Sequence, residues 1–301
     1  MSEYLGFRKT PAFEQLKASN AEPLTYAMTI NVMFILGGLF VPGLWSLVEY
    51  LFPIALAAFL AVGLYAGYIF LLFFARVIAY GNFDCERNNS PSQILSIFTF
   101  SMVAVGMSAS GATSHNPVSS GIGIILAVYF TAMADTLGII KIVLGFRSML
   151  ANGINYETSV SLWIVIPILT LIGITNYRVS MGLSHNFHAA IHPWFHVIVF
   201  TMFLSLQVLF GLLSYRVMKQ LGYFRDFISG EKKSVVTYAA ICPGVAFVVL
   251  GNFFINNGLV NAAVTGKFSM TYFLLYAPLI LVQFQTNIVM LKLNRKLLRE
   301  G

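Results

Sequence analysis

The sequence predicts an all-α fold, a polytopic transmembrane helix bundle of about eight spans with both termini cytoplasmic. Three observations carry this. Of 301 residues, 58% are hydrophobic and only 10% are charged, against roughly 25% charged in an ordinary soluble domain. The apolar residues form runs of about 18 or more, the length a helix needs to cross a bilayer. The runs are continuous rather than alternating, which selects helices over a barrel.

The elements follow in order. Residues 1–23 read as a polar cytoplasmic tail, 24–291 as the transmembrane domain and 292–301 as a basic cytoplasmic tail. Span one covers about 24–45 and breaks near Pro42-Gly43. Span two covers about 52–80, long enough to tilt or project. A loop at 81–90 leads to Pro91, a residue suited to a first helical turn, and span three runs to about 111. Span four covers about 118–146, span five 158–177, span six 193–215, span seven 234–254 and span eight 268–291. Between them lie a polar loop at 147–157, a histidine-bearing connection at 178–192, a basic loop at 216–233 and an Asn- and Gly-rich loop at 255–267.

The charges test this threading. With the amino terminus inside and eight alternating spans, the inner segments collect Arg8, Lys9, Lys17, Arg76, Arg87, Arg147, Arg216, Lys219, Arg225, Lys232, Lys233, Lys292, Arg295, Lys296 and Arg299. The outer segments collect only Arg178 and Lys267, and Lys141 lies within a span; fifteen, two and one account for all 18 basic residues. A missed span would scramble that split, since cationic residues stay on the cytoplasmic side. The same asymmetry explains the net charge of +7 without nucleic acid. Of the two cysteines, Cys85 falls in an inner loop and Cys242 in a span, so no disulfide framework is expected. The expected location is a cell inner, cytoplasmic membrane.

The alternating connections suggest four helical hairpins. Spans five and seven each carry a proline read as mid-helix, Pro167 and Pro243, and each is expected to kink its helix. A kinked helix in a membrane can line a cavity, or its neighbours can absorb the kink. Asn89-Ser90-Pro91, Pro167 and above all Cys242-Pro243-Gly244-Val245-Ala246-Phe247 resemble the tellurite-resistance/dicarboxylate transporter family, which includes slow anion channels. The resemblance implies a pore lined by spans one, three, five and seven, and a homo-oligomer, a trimer. Members of that family usually carry five hairpins where four are read here, so the family's gating phenylalanine is not transferred.

Several residues could carry chemistry. Phe247, one turn after Pro243, is a candidate constriction that narrows a path by dewetting, or a packed ring. Arg178 at the end of span five could attract anions to an outer mouth, or snorkel to the headgroups. Lys141 admits the same two readings. Asp135 is the only acidic residue well inside a predicted span. Such a charge costs several kcal/mol and is expected to face an interior, to pair with Lys141 or Arg178, to ligate a metal or to carry a proton. Asn252, with Asn256 and Asn257, could offer amide donors to an anion or simply end a helix. Gly63 and Gly67 form a G-x-x-x-G and are expected to pack helices, as are Gly37 and Gly38.

The histidines open a second reading. His115 lies after span three; His185, His188, His192 and His196 space as i, i+3, i+7 and i+11, one face of a continuous helix. They fit a haem or a copper or zinc site, haem pairing His115 with one of the four, or half-wet interfacial side chains. The sequence therefore points to a conduit for small anions, inorganic or dicarboxylate, without a cofactor and more a transporter than an enzyme. The alternative is a metal- or haem-binding redox protein. Reporter tags placed at Ser2 and at Gly301 are expected to read the same, cytoplasmic face; tags on opposite faces would dismantle the eight-span threading.

Overall fold

A computed structural model describes residues 21–80, 92–154 and 156–298. The Asn89-Ser90-Pro91 motif, Cys85, the loop at 81–90 and most of the amino-terminal tail lie outside the described residues. Eight helices are long and apolar enough to cross a membrane. The α-helices are α1 (Ala21–Phe40), α2 (Leu44–Tyr80), α3 (Ser92–Thr113), α4 (Pro117–Asn152), α5 (Val165–Phe187), α6 (Pro193–Gln220), α7 (Ile241–Phe253) and α8 (Met270–Leu297), the fifth span taking in the turns before α5 (Ser159–Phe187) and the seventh the segments on both sides of α7 (Val235–Val260). The chain divides into two compact units: 1–153 with 175–189, and 154–174 with 190–301. Helix α5 thus contributes its first part to the second unit and its last part to the first.

In the first unit α3 is the central helix. Ile97, Phe100, Val103, Ala104 and Met107 are buried, and so are the hydroxyls of Ser101, Ser108 and Ser110. Each of these hydroxyls donates back to a carbonyl three or four residues earlier, so none is stranded in an apolar setting. Helix α4 follows through a tight turn. Asn116 caps it, its Oδ1 accepting from the Val118 amide at 2.9 Å, and Pro117 opens the first turn, where a missing amide costs nothing.

Small residues set the spacing. Lipid tails are as apolar as leucine, so close helix association in a membrane depends on backbone approach and van der Waals fit. At Gly111 three helices meet: a Cβ on Gly123 of α4 would fall 2.8 Å from the Gly111 nitrogen, and one on Gly182 of α5 would collide with the Gly111 carbonyl. The space above Gly63 is filled by the Phe130 ring, whereas Gly67 faces open space, so only the first glycine of the G-x-x-x-G acts as a packing site.

In the second unit α7 lies against α6 and α8. Gly244 and Gly251 of α7, seven residues apart, receive Thr286 and Leu279 of α8. Buried Val160, Met218, Tyr223 and Phe227 close one end of this unit, with Tyr156 and Trp163 packed against them.

The structure corrects several boundaries. The first break comes at 41–43, where Gly43 takes a φ of 77°, and α2 then starts at Leu44 rather than near 52. Residues read as a connection, Ser46 to Leu51, therefore form helix; Trp45 Nε1 donates to the Gly38 carbonyl and Ser46 Oγ to that of Gly43, closing the turn. Helix α5 continues ten residues past Tyr177, to Phe187. The Asn-rich segment after 254 stays helical as a π-turn, Phe254–Val260. Part of the basic loop is also a π-turn, Phe224–Ser229.

Pro167 and Pro243 are not mid-helix residues. Each is the third residue of an α-helix that follows a 3₁₀ segment, Glu157–Ile164 before α5 and Val235–Ala240 before α7. The missing amide falls where bonding changes from the i−3 to the i−4 pattern, so no regular α-helical bond is lost. The prolines inside regular helices are Pro53 in α2 and Pro278 in α8.

Replacing Gly182 with Val is expected to destabilise the protein by about 1–3 kcal/mol through overpacking. Gly145→Ala, where nothing lies within 4 Å, should leave it unchanged. Thermal unfolding of the two variants in the same detergent checks the contrast.

Candidate functional site

Three successive contacts join the last part of α5 to α3. Arg178 Nη1 donates to the Val105 carbonyl at 2.8 Å, Gly182 packs on Gly111, and Asn186 Nδ2 donates to the Ser114 carbonyl at 2.9 Å. The spacing i, i+4, i+8 puts all three on one face of α5. Because both residue series rise together, the two helices run parallel here. Arg178 accordingly sits nine residues before Phe187, about 13 Å of helix from the end of α5, rather than at the end of its helix.

The surroundings of Arg178 are polar but hold no counter-charge. Val105 also accepts from Ser108 Oγ at 2.8 Å, which places that hydroxyl beside the guanidinium. One turn earlier on α3, the Met102 carbonyl takes Asn31 Nδ2 of α1 at 3.3 Å. No carboxylate forms an ion pair with Arg178 among the described residues. A guanidinium has five N–H donors and cannot shed its charge; here one bond is spent on Val105 and most donors remain uncommitted.

Asp135 does not supply the missing charge. The inward stripe of α4 is Ser120, Gly123, Ala127, Phe130 and Ala134; Asp135, one position on, is rotated off that stripe and exposed. It makes no hydrogen bond or ion pair among the described residues, so the expected pairing with Arg178 or Lys141 is not formed. Lys141, six residues along the helix, points to a different side.

The histidines also separate. Helix α5 ends at Phe187, His188 takes a left-handed φ of 54°, and His192 is the extended N-cap of α6, where Pro193 starts a new helix. The run from His185 to His196 is therefore not one helical face. His115 and His185 do meet, ring centroids 5.1 Å apart. Near them Glu49 accepts the His115 amide at 2.7 Å and Ser114 Oγ at 2.8 Å, so its oxygens are engaged by the α3–α4 turn. His192 and His196 belong to the second unit. No three His, Cys, Asp or Glu side chains group as a metal site among the described residues.

The second unit holds two cavities, of about 400 and 480 Å³. Pro243 and Gly244 line the first, Gly251 and Phe254 the second, and Phe247 and Val208 line both. The predicted constriction thus forms a wall common to two chambers. Neither chamber is lined by a charged side chain. Gln207 borders the first. Its Nδ-like amide nitrogen, Nε2, donates to the Ile166 carbonyl at 2.9 Å and to Thr170 Oγ1 at 2.7 Å, and Thr170 Oγ1 donates on to the Ala246 carbonyl at 3.0 Å. This bridge ties the start of α5 to α6 and α7. Sequence reading passed over Gln207 and Thr170, although a glutamine in Leu204-Ser205-Leu206-Gln207-Val208-Leu209 is a polar exception in an apolar run.

Asn252 is held elsewhere. Its Oδ1 accepts from Tyr276 Oη at 2.6 Å and from Asn256 Nδ2, while Tyr272 Oη donates to Asn256 Oδ1 at 3.2 Å. These bonds pin the π-turn to α8.

At the basic end, Asp226 accepts from Lys232 Nζ at 2.9 Å and Arg225 Nε at 3.0 Å. The two cations, Lys232 foremost, hold its carboxyl well below the usual carboxylate range. Lys296 Nζ donates to the carbonyls of Phe227 and Gly230, at 3.0 and 2.6 Å, closing the same turn. Compared with family models, curated proteins and solved structures, the chain matches none.

A carboxyl whose native pKa is depressed stabilises the fold above its unfolded pKa, near 4, and loses that contribution as pH falls toward the native value. Asp226→Asn should therefore speed amide hydrogen exchange across 224–234 at pH 7. The wild type should approach the variant only as pH drops below about 4. Hydrogen-exchange mass spectrometry of the full chain at both pH values checks the order.

Proposed function

We propose that the protein is a membrane channel or transporter for small anions, inorganic anions or dicarboxylates, in which Arg178 is the cation the anion meets. The observation that carries this is a guanidinium well inside a span, bonded to one backbone carbonyl and without a carboxylate partner among the described residues. Ionisable residues within spans are costly and usually serve an ion pathway, and an arginine selects for anions. The Val105 dipole offsets only part of the charge. A passing anion supplies the remainder, and buried Ser108 adds a hydroxyl beside it.

The resemblance of the Pro243–Phe247 stretch to the tellurite-resistance/dicarboxylate transporter family supports the same reading. In this reading the helices pair as four hairpins with both termini in the cytoplasm, and copies associate as trimers. Asp135, exposed on α4, then faces a neighbouring copy or headgroups rather than the anion. The metal or haem reading has less support, because the histidine run is broken by the end of α5.

Proteoliposomes containing the purified chain should pass chloride, nitrate or a dicarboxylate. Arg178→Gln should lower that flux by about tenfold or more while leaving the protein folded, and Arg178→Lys should keep measurable flux. Thermal unfolding of each variant separates loss of transport from loss of structure. Absence of anion flux, or a stoichiometric metal or haem spectrum released by His115→Ala, would overturn the proposal.

A further inference from the structure

The two chambers of the second unit form one line. Along α6 the lining includes Thr201, Leu204, Val208, Leu212 and Tyr215, with Ser205, Gln207 and Gly211 beside them, and along α8 it includes Leu275, Leu279, Val282, Thr286 and Val289, with Gln285 beside them. Both series keep to a single helical stripe. From Thr201 to Tyr215 the stripe covers about 21 Å of helix, roughly two thirds of the hydrocarbon layer. Val208 and Leu212 line the groove and are 45% and 62% exposed, so it opens to the outside of the helices.

The two stripes share an ending. One turn beyond Tyr215 lies Lys219, its Nζ 6.0 Å from the Tyr215 ring centre. Three residues beyond Val289 lies Lys292, on the same face of α8. Both lysines are exposed, and no carboxylate pairs with either among the described residues. Arg216 and Arg295, exposed at the same end and without a carboxylate partner among the described residues, add to this positive charge, whereas Lys232 and Arg225 are held by Asp226 and Lys296 by two carbonyls. An uncharged groove open at the side and flanked at one end by uncommitted cations, Lys219 and Lys292 in line with its two stripes, has the polarity that complements an anionic lipid.

We propose that this groove is a binding site for one anionic glycerophospholipid. Its acyl chain lies along Leu212, Val208 and Phe247, and its phosphate sits between Lys219 and Lys292. The site is independent of Arg178. The chain seals the apolar path that Phe247 borders, while the headgroup satisfies both lysines.

Trp163 lines the first chamber, its Nε1 donating to the Gly211 carbonyl at 3.1 Å, and so reports occupancy. The full chain carrying Trp45→Phe and Trp194→Phe keeps Trp163 as its single tryptophan. In liposomes, phosphatidylglycerol brominated in its acyl chain should quench Trp163 at least about twofold more than equally brominated phosphatidylcholine at the same mole fraction. Lys219→Gln with Lys292→Gln, two surface changes, should abolish the difference without altering thermal unfolding. Equal quenching by the two lipids, or a difference that survives the double substitution, would overturn the proposal. So would an efficient disulfide between copies of a Leu212→Cys variant, which would show a second copy of the chain in the groove.

Discussion

The close backbone approach of α4 and of the last part of α5 to Gly111 of α3 organises the first unit. At α5 it exists because Gly111 and Gly182 let two backbones approach without side chains between them. Once the helices are that close, an arginine one turn before Gly182 reaches a carbonyl on α3, and an asparagine one turn after it reaches another. The polar bonds do not create the approach. A hydrogen bond across a membrane interface contributes about 0.6 kcal/mol on average, so two of them could not force helices together against poor packing. Van der Waals fit at the glycines comes first, and the bonds fix the register.

That order explains which parts of the fold are legible in the sequence. The number of spans was readable because hydropathy integrates over some twenty residues and tolerates local error; eight runs become eight helices. The ends were less readable. Tyr177-Arg178 looked like a boundary because a cation usually marks one, yet α5 runs on to Phe187. Hydropathy counts the charge and cannot register that a carbonyl on α3 receives it. The same limit applies to Asp135, whose sidedness depends on a 100° rotation from Ala134 that a linear scan of charge does not resolve.

The prolines and Phe247 show a subtler case. Both prolines were read as kinks within α-helices, and the structure places them differently. Pro167 and Pro243 shape their spans by ending a 3₁₀ segment rather than by bending an α-helix. A 3₁₀ turn rises about 2.0 Å per residue against 1.5 Å in an α-helix, and its side chains eclipse at i and i+3. Residues before each proline thus face in directions that a 3.6-residue period would not give. Phe247, which follows the junction, does obey the α period, and its ring reaches both chambers. Gln207 escaped notice because one glutamine hardly changes a hydropathy average, although it bonds two residues of α5 at once.

Arg178 and Asp135 are the two ionisable groups for which span chemistry matters most, and their chemistry differs. A carboxyl group set in lipid can take up a proton and become neutral, so an exposed acid on α4 has a route out of its desolvation cost. A guanidinium has no such route at any physiological pH. It must be solvated by carbonyl dipoles or by an anion, and the Val105 carbonyl occupies a single N–H. The groove of the second unit has the reverse character, an apolar lining with its charges confined to one end. A hydrated anion would shed water in that groove and gain no charge in exchange, whereas an acyl chain sheds none. The polarity of each place is thus the ground of each proposal, an uncompensated cation for a small anion and an uncharged groove for a lipid tail.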